Sequence, residues 1–300
     1  MSTSILNKLT GLGIALITPF REDESIDFEA LDRLIDHIVR GKADYIVVLG
    51  TTAETPALLP EEREAVIERV KQRVNGRLPL VLGCGGNCTA QVVKELKTRD
   101  FSGFSAILSV TPYYNKPSQE GIYQHYKAIA EASPVPVILY NVPGRTGVNM
   151  AAATTLRLAR DCKNIVAVKE ASGNMAQINA VIKDCPAGFA VISGDDGIAY
   201  PLLTTGAIGV ISVIGNAFPE PFSRMVRLAL KGEYADALKI HQRFTDLFDL
   251  LFVDGNPAGV KCILSEMGFI QNKLRLPLVP TRLSTMEKIH EVLTQLNIKI

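Results

Sequence analysis

Lys169 ends an unbroken apolar run, Ile165-Val166-Ala167-Val168. A lysine in that place is costly unless it has a use. Its ordinary pKa is about 10.4, and apolar surroundings disfavour the ammonium form. A lysine held as the free amine attacks carbonyl carbons and forms imines. Taken alone, the residue also fits a plainer role, as a rim lysine paired with Glu170 or Asp195. Tyr140 lies near the end of the apolar run before it and would share its surroundings. A phenol shuttles protons when a hydroxyl such as that of Thr51 or Tyr114 hydrogen-bonds it; equally, it is a core aromatic. Arg145 follows a Pro-Gly pair. Its planar fork grips carboxylates through two parallel bonds, unless it is an ordinary surface arginine. Thr51 and Thr52 offer hydroxyls and backbone N–H groups to an anion, or they simply form a turn.

Other chemistries have less support. The four histidines, His37, His125, His241 and His290, all fall on helix patterns. A metal-dependent aldolase would want histidine ligands where strands end, so no metal is expected. Asp195-Asp196 reads as a polar turn before it reads as a cation site. Cys84 and Cys88 lack partner ligands at zinc spacing, and Gly83, Gly85 and Gly86 match neither established phosphate-loop pattern.

These residues need a scaffold that gathers them. Short runs rich in Val and Ile lie at 13–18, 45–49, 80–83, 105–110, 137–141, 165–169, 190–193 and 209–213. They are mostly apolar on both faces, as buried parallel strands are. Helix patterns fall between them at 27–40, 60–74, 88–99, 118–131, 150–161, 174–184, 196–205 and 219–230. Asp27, Pro60 and Ser118 supply start signals. Eight strand-helix units predict an α/β fold, a (β/α)8 TIM barrel with a C-terminal helical extension. A doubly wound sheet with extra units is the alternative. The expected division is a catalytic barrel over 1–231 and a helical region over 232–300, with helices at 233–251, 256–268 and 284–297. In a barrel, Thr51, Tyr114, Tyr140, Lys169 and Asp195 all follow or end strands, on one face.

Composition narrows the function. Lys+Arg number 32 and Asp+Glu 31. That balance suggests neither nucleic acid nor an anionic membrane surface as partner. No apolar run approaches the roughly 20 residues that span a bilayer. The apolar stretch 12–17 reads as a strand and not as a signal peptide, and five scattered cysteines do not read as a disulfide framework. A cytoplasmic location is expected.

Five segments occur in order: Gly50-Thr51-Thr52-Ala53-Glu54, Thr111-Pro112-Tyr113-Tyr114-Asn115-Lys116-Pro117, Tyr140-Asn141-Val142-Pro143-Gly144-Arg145-Thr146-Gly147, Lys169-Glu170-Ala171-Ser172-Gly173 and Ser193-Gly194-Asp195-Asp196. With Asn256-Pro257 and Leu274-Arg275-Leu276-Pro277 in the tail, the chain resembles the dihydrodipicolinate synthase family of pyruvate-dependent class I aldolases along essentially its whole length. The resemblance implies a lyase of lysine and diaminopimelate biosynthesis that joins pyruvate to L-aspartate 4-semialdehyde. It implies no cofactor beyond the covalent imine of pyruvate on Lys169. Tyr140 would relay protons, linked through Thr51 to Tyr114. Thr51 and Thr52 would hold the pyruvate carboxylate, Arg145 that of the aldehyde, and Gly194 and Ile211 would line the pocket. The implied assembly is a homotetramer, a dimer of dimers, with Tyr114 crossing the tight dimer interface. One departure is Ala53, where the family usually has glycine; a side chain is uncomfortable there if the backbone needs positive φ.

Sister aldolases, such as N-acetylneuraminate lyase or keto-deoxy sugar acid aldolases, share the fold and the lysine, but Thr51-Thr52 and Arg145 favour the synthase. A catalytically silent keto-acid sensor would not need Lys169, Tyr140, Thr51, Tyr114 and Arg145 together. Some family members are inhibited by lysine at the dimer interface, at positions that fall here on Thr55, Pro56, Pro60, Arg63, Asn87, Gln91 and Tyr113. Asn87 and Tyr113 match the sensitive pattern. Pro60 and Arg63 replace histidines and Gln91 replaces a glutamate, so weak or absent inhibition is expected.

Overall fold

The eight Val- and Ile-rich runs form eight parallel strands that close into one barrel in sequence order. The computed structural model describes residues 2–298. The strands are β1 Gly11–Ala15, β2 Tyr45–Val48, β3 Leu80–Gly83, β4 Phe104–Val110, β5 Val137–Asn141, β6 Ile165–Glu170, β7 Ala190–Ser193 and β8 Gly209–Ser212. Closure pairs β1 with β8 through Gly11↔Gly209 to Ile14↔Ser212. The doubly wound alternative is thereby excluded.

Before β1 comes helix α1 Ser2–Leu9, and α2 to α5 follow as Phe28–Arg40, Pro60–Val74, Thr89–Thr98 and Gln119–Ala132. A short turn of helix after β5, α6 Pro143–Thr146, precedes α7 Ala152–Asp161; α8 Met175–Asp184, α9 Ala199–Thr205 and α10 Pro219–Leu230 complete the ring. The start signals act as expected. Asp27 accepts from the Ala30 N–H at 2.9 Å and Ser118 from that of Gly121 at 3.2 Å. Each such cap contributes about 1 kcal/mol.

Both strand faces are buried, which is why the runs are continuous and not alternating. One set of side chains packs outward on the helices, including Ile14, Ile46, Leu82, Ile107 and Leu139. The other fills the barrel, including Val47, Val81, Leu108, Ile138, Ile192 and Ile211. Burying each such side chain contributes roughly 1.5–3 kcal/mol. Ile5 and Leu9 of α1 join this inner cluster and close the end of the barrel where the strands begin. That helix was not expected from the sequence: it is only eight residues long.

Four helices follow the barrel: α11 Tyr234–Arg243, α12 Thr245–Leu250, α13 Ala258–Glu266 and α14 Leu283–Gln295. The single helix expected over 233–251 is two, because Phe244 leaves helical geometry at φ −103°, ψ 3°. Phe244 is fully buried against Phe218 and Phe222 of the barrel wall, so packing decides the break. No helix among the described residues is long and apolar enough to cross a membrane.

Candidate active site

Parallel pairing of β5 and β6 sets Tyr140 beside Lys169 and Asn141 beside Glu170. Side chains alternate along a strand, so Tyr140 and Lys169 share the barrel interior while Asn141 and Glu170 point the other way. Lys169 Nζ lies 4.2 Å from the centre of the Tyr140 ring, and both residues are 6% exposed. Among the described residues Lys169 has no ion-pair partner. The pairing with Glu170 or Asp195 that the sequence left open does not form. Glu170 accepts from Asn141 Nδ2 at 3.0 and 3.2 Å, from the Ser172 N–H at 3.0 Å and from Gln177 Nε2 at 3.2 Å. Asp195 accepts from the Gly197 N–H at 2.8 Å.

Burial pushes the Glu170 carboxyl above the usual carboxylate range, and those hydrogen bonds oppose the shift. The Asn141–Glu170 contact ties the ends of β5 and β6 together just outside the barrel wall. It therefore fixes the strand ends that carry Tyr140 and Lys169. Sequence reasoning missed this clamp; the only signal was a polar pair one residue beyond each active side chain.

Gly194 makes room for the lysine arm. A Cβ there would stand 3.0 Å from Lys169 Cε and 2.7 Å from the Ala171 Cβ. Ile211, 1% exposed on β8, belongs to the same inner cluster as Tyr140. Asp196 is a support residue: it is buried, and its Oδ2 accepts the N–H groups of Val213 and Ile214 at 2.9 Å each. Burial raises its carboxyl to about 6. It thus braces the loop after β8 against that after β7.

Thr51, Thr52 and Ala53 form one short helical turn after β2. Ala53 does not need positive φ; the left-handed residue is Glu54, at φ 54°. Ala53 is buried, and its carbonyl accepts from the Thr18 hydroxyl at 2.8 Å. The methyl group therefore introduces no backbone strain. Thr52 Oγ1 accepts from Asn256 Nδ2 at 3.0 Å, a link to the C-terminal region that spacing could not reveal. Arg145 lies on α6 and is exposed, with no ion-pair partner among the described residues. Its guanidinium is free for a ligand at the strand-end face.

Tyr114 is 90% exposed at φ 75°. Within the chain no hydrogen bond joins its hydroxyl to Tyr140 or Thr51 among the described residues. Tyr113 is 41% exposed, and its carbonyl accepts from Asn87 Nδ2 at 3.4 Å. Thr55, Pro60 and Arg63 line a cavity of about 170 Å³ together with Glu64, Glu95 and Arg99. Gln91 lies on the adjoining groove between α3 and α4. Gly83 and Gly85 are packing glycines: a Cβ at Gly83 would strike the Leu49 carbonyl oxygen at 2.1 Å, and one at Gly85 the Val110 nitrogen at 2.8 Å. The histidines lie on α2, α5, α11 and α14. Among the described residues, no three His, Cys, Asp or Glu side chains converge as a metal site would need.

Comparison with known proteins identifies the family. The model of the "Dihydrodipicolinate synthetase family" matches residues 8–296. The 4-hydroxy-tetrahydrodipicolinate synthase of Parabacteroides distasonis is 68% identical over 291 residues, 97% of this chain and 98% of that protein. The synthase of Phocaeicola vulgatus is 63% identical over 295 residues, covering 98% and 99%. The crystal structure of dihydrodipicolinate synthase from Aquifex aeolicus superposes with a TM-score of 0.93 at 40% identity, covering 97% of this chain and 99% of that one. Since the family model spans residues 8–296, which include every strand of the barrel, the chain belongs to the dihydrodipicolinate synthetase family.

Proposed function

We infer that this chain is a 4-hydroxy-tetrahydrodipicolinate synthase, which condenses pyruvate with L-aspartate 4-semialdehyde through an imine on Lys169. The observation that carries the reading is a buried lysine with no ion-pair partner among the described residues, held over Tyr140 in a chain of this family. The Lys169 amine adds to the ketone carbon of pyruvate, and the carbonyl oxygen leaves as water. Loss of a methyl proton from the imine gives an enamine. Its carbon attacks the aldehyde, whose oxygen takes up a proton. The amino group of the bound aldehyde portion then adds to the imine carbon, closes the ring and releases Lys169. Tyr140 carries protons in these steps, the Thr51–Thr52 turn holds the pyruvate carboxylate, and Gly194 and Ile211 shape the space around the imine. The chemistry runs without a metal or organic cofactor. Steady-state turnover of pyruvate with aspartate semialdehyde tests the reading directly; faster turnover of pyruvate with N-acetylmannosamine would overturn it in favour of a sialic acid lyase.

In this reading residues 1–231 are the catalytic barrel, 232–300 brace it, and the protein works in the cytoplasm as a homotetramer. The exposed Tyr114 completes the hydroxyl relay with Thr51 and Tyr140 across the dimer interface. Sedimentation of the purified chain reads that assembly: a monomer at micromolar concentration would remove the interface role of Tyr114.

Arg145 binds the carboxylate of the second substrate. Arg145→Ala is expected to raise the apparent KM for aspartate semialdehyde by roughly ten- to 150-fold, the worth of a charge-assisted bond, with much less effect on that for pyruvate. Equal rises for both substrates would remove this role from Arg145.

Lysine is a poor inhibitor in the same reading. Arg63 lines the cavity beside Thr55 and Pro60, with its Nε donating to the Leu58 carbonyl at 3.1 Å. Its charge repels the ammonium of a lysine side chain, and Gln91 lacks the carboxylate that would attract it. Binding weakens by about tenfold or more. A lysine titration during turnover checks this: half-inhibition at submillimolar lysine would show that the site works despite these residues.

A further inference from the structure

The turn that carries Thr51 and Thr52 is held from far along the chain. Glu54 leaves it with φ 54° and ψ 35°, a left-handed conformation that a residue with a Cβ keeps only when its neighbours impose it. Those neighbours belong to the C-terminal region. Glu54 Oε1 lies 2.5 Å from Lys261 Nζ, with both side chains fully buried. Glu54 Oε2 accepts the Arg275 backbone N–H at 3.1 Å. Lys261 also donates to the Lys273 carbonyl at 3.0 Å and stands 4.2 Å from the centre of the Phe20 ring. Arg275 packs on the same ring at 4.5 Å and pairs with Glu62 at 2.6 Å.

A buried ion pair is a poor source of stability. Desolvation consumes much of the attraction, and apolar side chains of the same volume usually hold a fold as well or better. What such a pair supplies is direction, because each charge must meet its partner at one point. Here that point is two residues from Thr52, whose own hydroxyl is met by Asn256 of the same region. Phe20 and Thr18, from the loop after β1, complete the seat.

We propose that the Glu54–Lys261 ion pair is the device by which the C-terminal region holds the Thr51–Thr52 turn in its gripping shape, so that both residues are positioning residues for the keto acid. The proposal rests on the reading that this turn binds the pyruvate carboxylate. Neither side chain touches substrate; each acts through the turn.

The test compares wild type with Glu54→Gln, Lys261→Met and the double variant. The pyruvate concentration that half-saturates borohydride trapping at Lys169 is measured, together with kcat, both KM values and the melting temperature. The double variant leaves no unpaired charge and is expected to fold. Glu54→Gln is a second folding variant, since burial already draws the Lys261 ammonium down to about 8 and the lysine can shed its proton. In both, half-saturating pyruvate should rise about tenfold or more, as small misplacements of a gripping group do. The values for kcat at saturating pyruvate and KM for aspartate semialdehyde should stay within about threefold. A purely structural role would lower the melting temperature and the active fraction and leave half-saturation unmoved. Half-saturation within about twofold of wild type in the folded variants overturns the proposal. Absence of any Lys169 adduct in wild type overturns the imine reading instead, so the two failures are distinguishable.

Discussion

Treatment with pyruvate and then borohydride is expected to leave one reduced adduct, on Lys169, and Lys169→Ala is expected to lose activity by roughly a thousandfold or more. Most lysines of this chain sit on helix faces or in loops, outside any enclosed site. The other buried lysine among the described residues is Lys261, and burial lowers it to about 8, which is the property wanted in an imine-forming amine. It is nevertheless excluded by geometry, since Glu54, the Lys273 carbonyl and Phe20 occupy its surroundings. Lys169 differs in having the Tyr140 ring beside it and no carboxylate within pairing distance among the described residues. Removing it removes the covalent route, and a loss of about 4 kcal/mol in transition-state stabilisation corresponds to that thousandfold. Peptide mass mapping locates the adduct. An adduct on Lys261, or an alanine variant that keeps more than about a tenth of wild-type kcat, would sink the assignment.

The barrel was legible because its strands are buried on both faces. A sheet covered on one side would have alternated; continuous runs such as Ile165-Val166-Ala167-Val168 require cover on both. Lys169 was legible for the same reason, as a charge at the end of such a run. Glu170 was harder to interpret. It stands beside Lys169 in sequence and looks like its ion-pair partner, yet strand alternation sends it to the opposite face, where Asn141 and Gln177 hold it. The condition set on Ala53 is not met: the left-handed residue is Glu54, one position on, and no single-residue preference distinguishes the two. The supports of the substrate turn were invisible, since Asn256 and Lys261 lie about 200 residues from Thr52 and Glu54. Long-range pairings of that kind depend on how the last helices dock, which local pattern does not encode. Helix α1 escaped because a helix of eight residues depends on tertiary packing for its existence.

Tyr140→Phe is expected to lower kcat by roughly a hundred- to ten-thousandfold, the range by which positioned proton transfer accelerates a reaction. The substitution removes one oxygen and keeps the ring. The ring accounts for most of what Tyr140 does structurally: it fills the inner cluster with Val142, Ile192 and Ile211 and lies against Lys169 Nζ at 4.2 Å. Phenylalanine preserves that packing and most of the cation–π attraction, which is about 1 kcal/mol. The neighbouring Asn141–Glu170 clamp and the Tyr140↔Lys169 register are untouched, so the lysine stays where it is. Folding and melting temperature should therefore change little. What the variant lacks is a group to move protons when water leaves the carbinolamine, when the methyl carbon is deprotonated and when the aldehyde oxygen is protonated. Adduct formation with borohydride should consequently slow while still ending on Lys169. Measuring kcat, the rate of trapping and the melting temperature on one preparation separates the two readings of Tyr140. A well-folded phenylalanine variant within about tenfold of wild-type kcat would show that the phenol is a core aromatic and that the protons travel by another path.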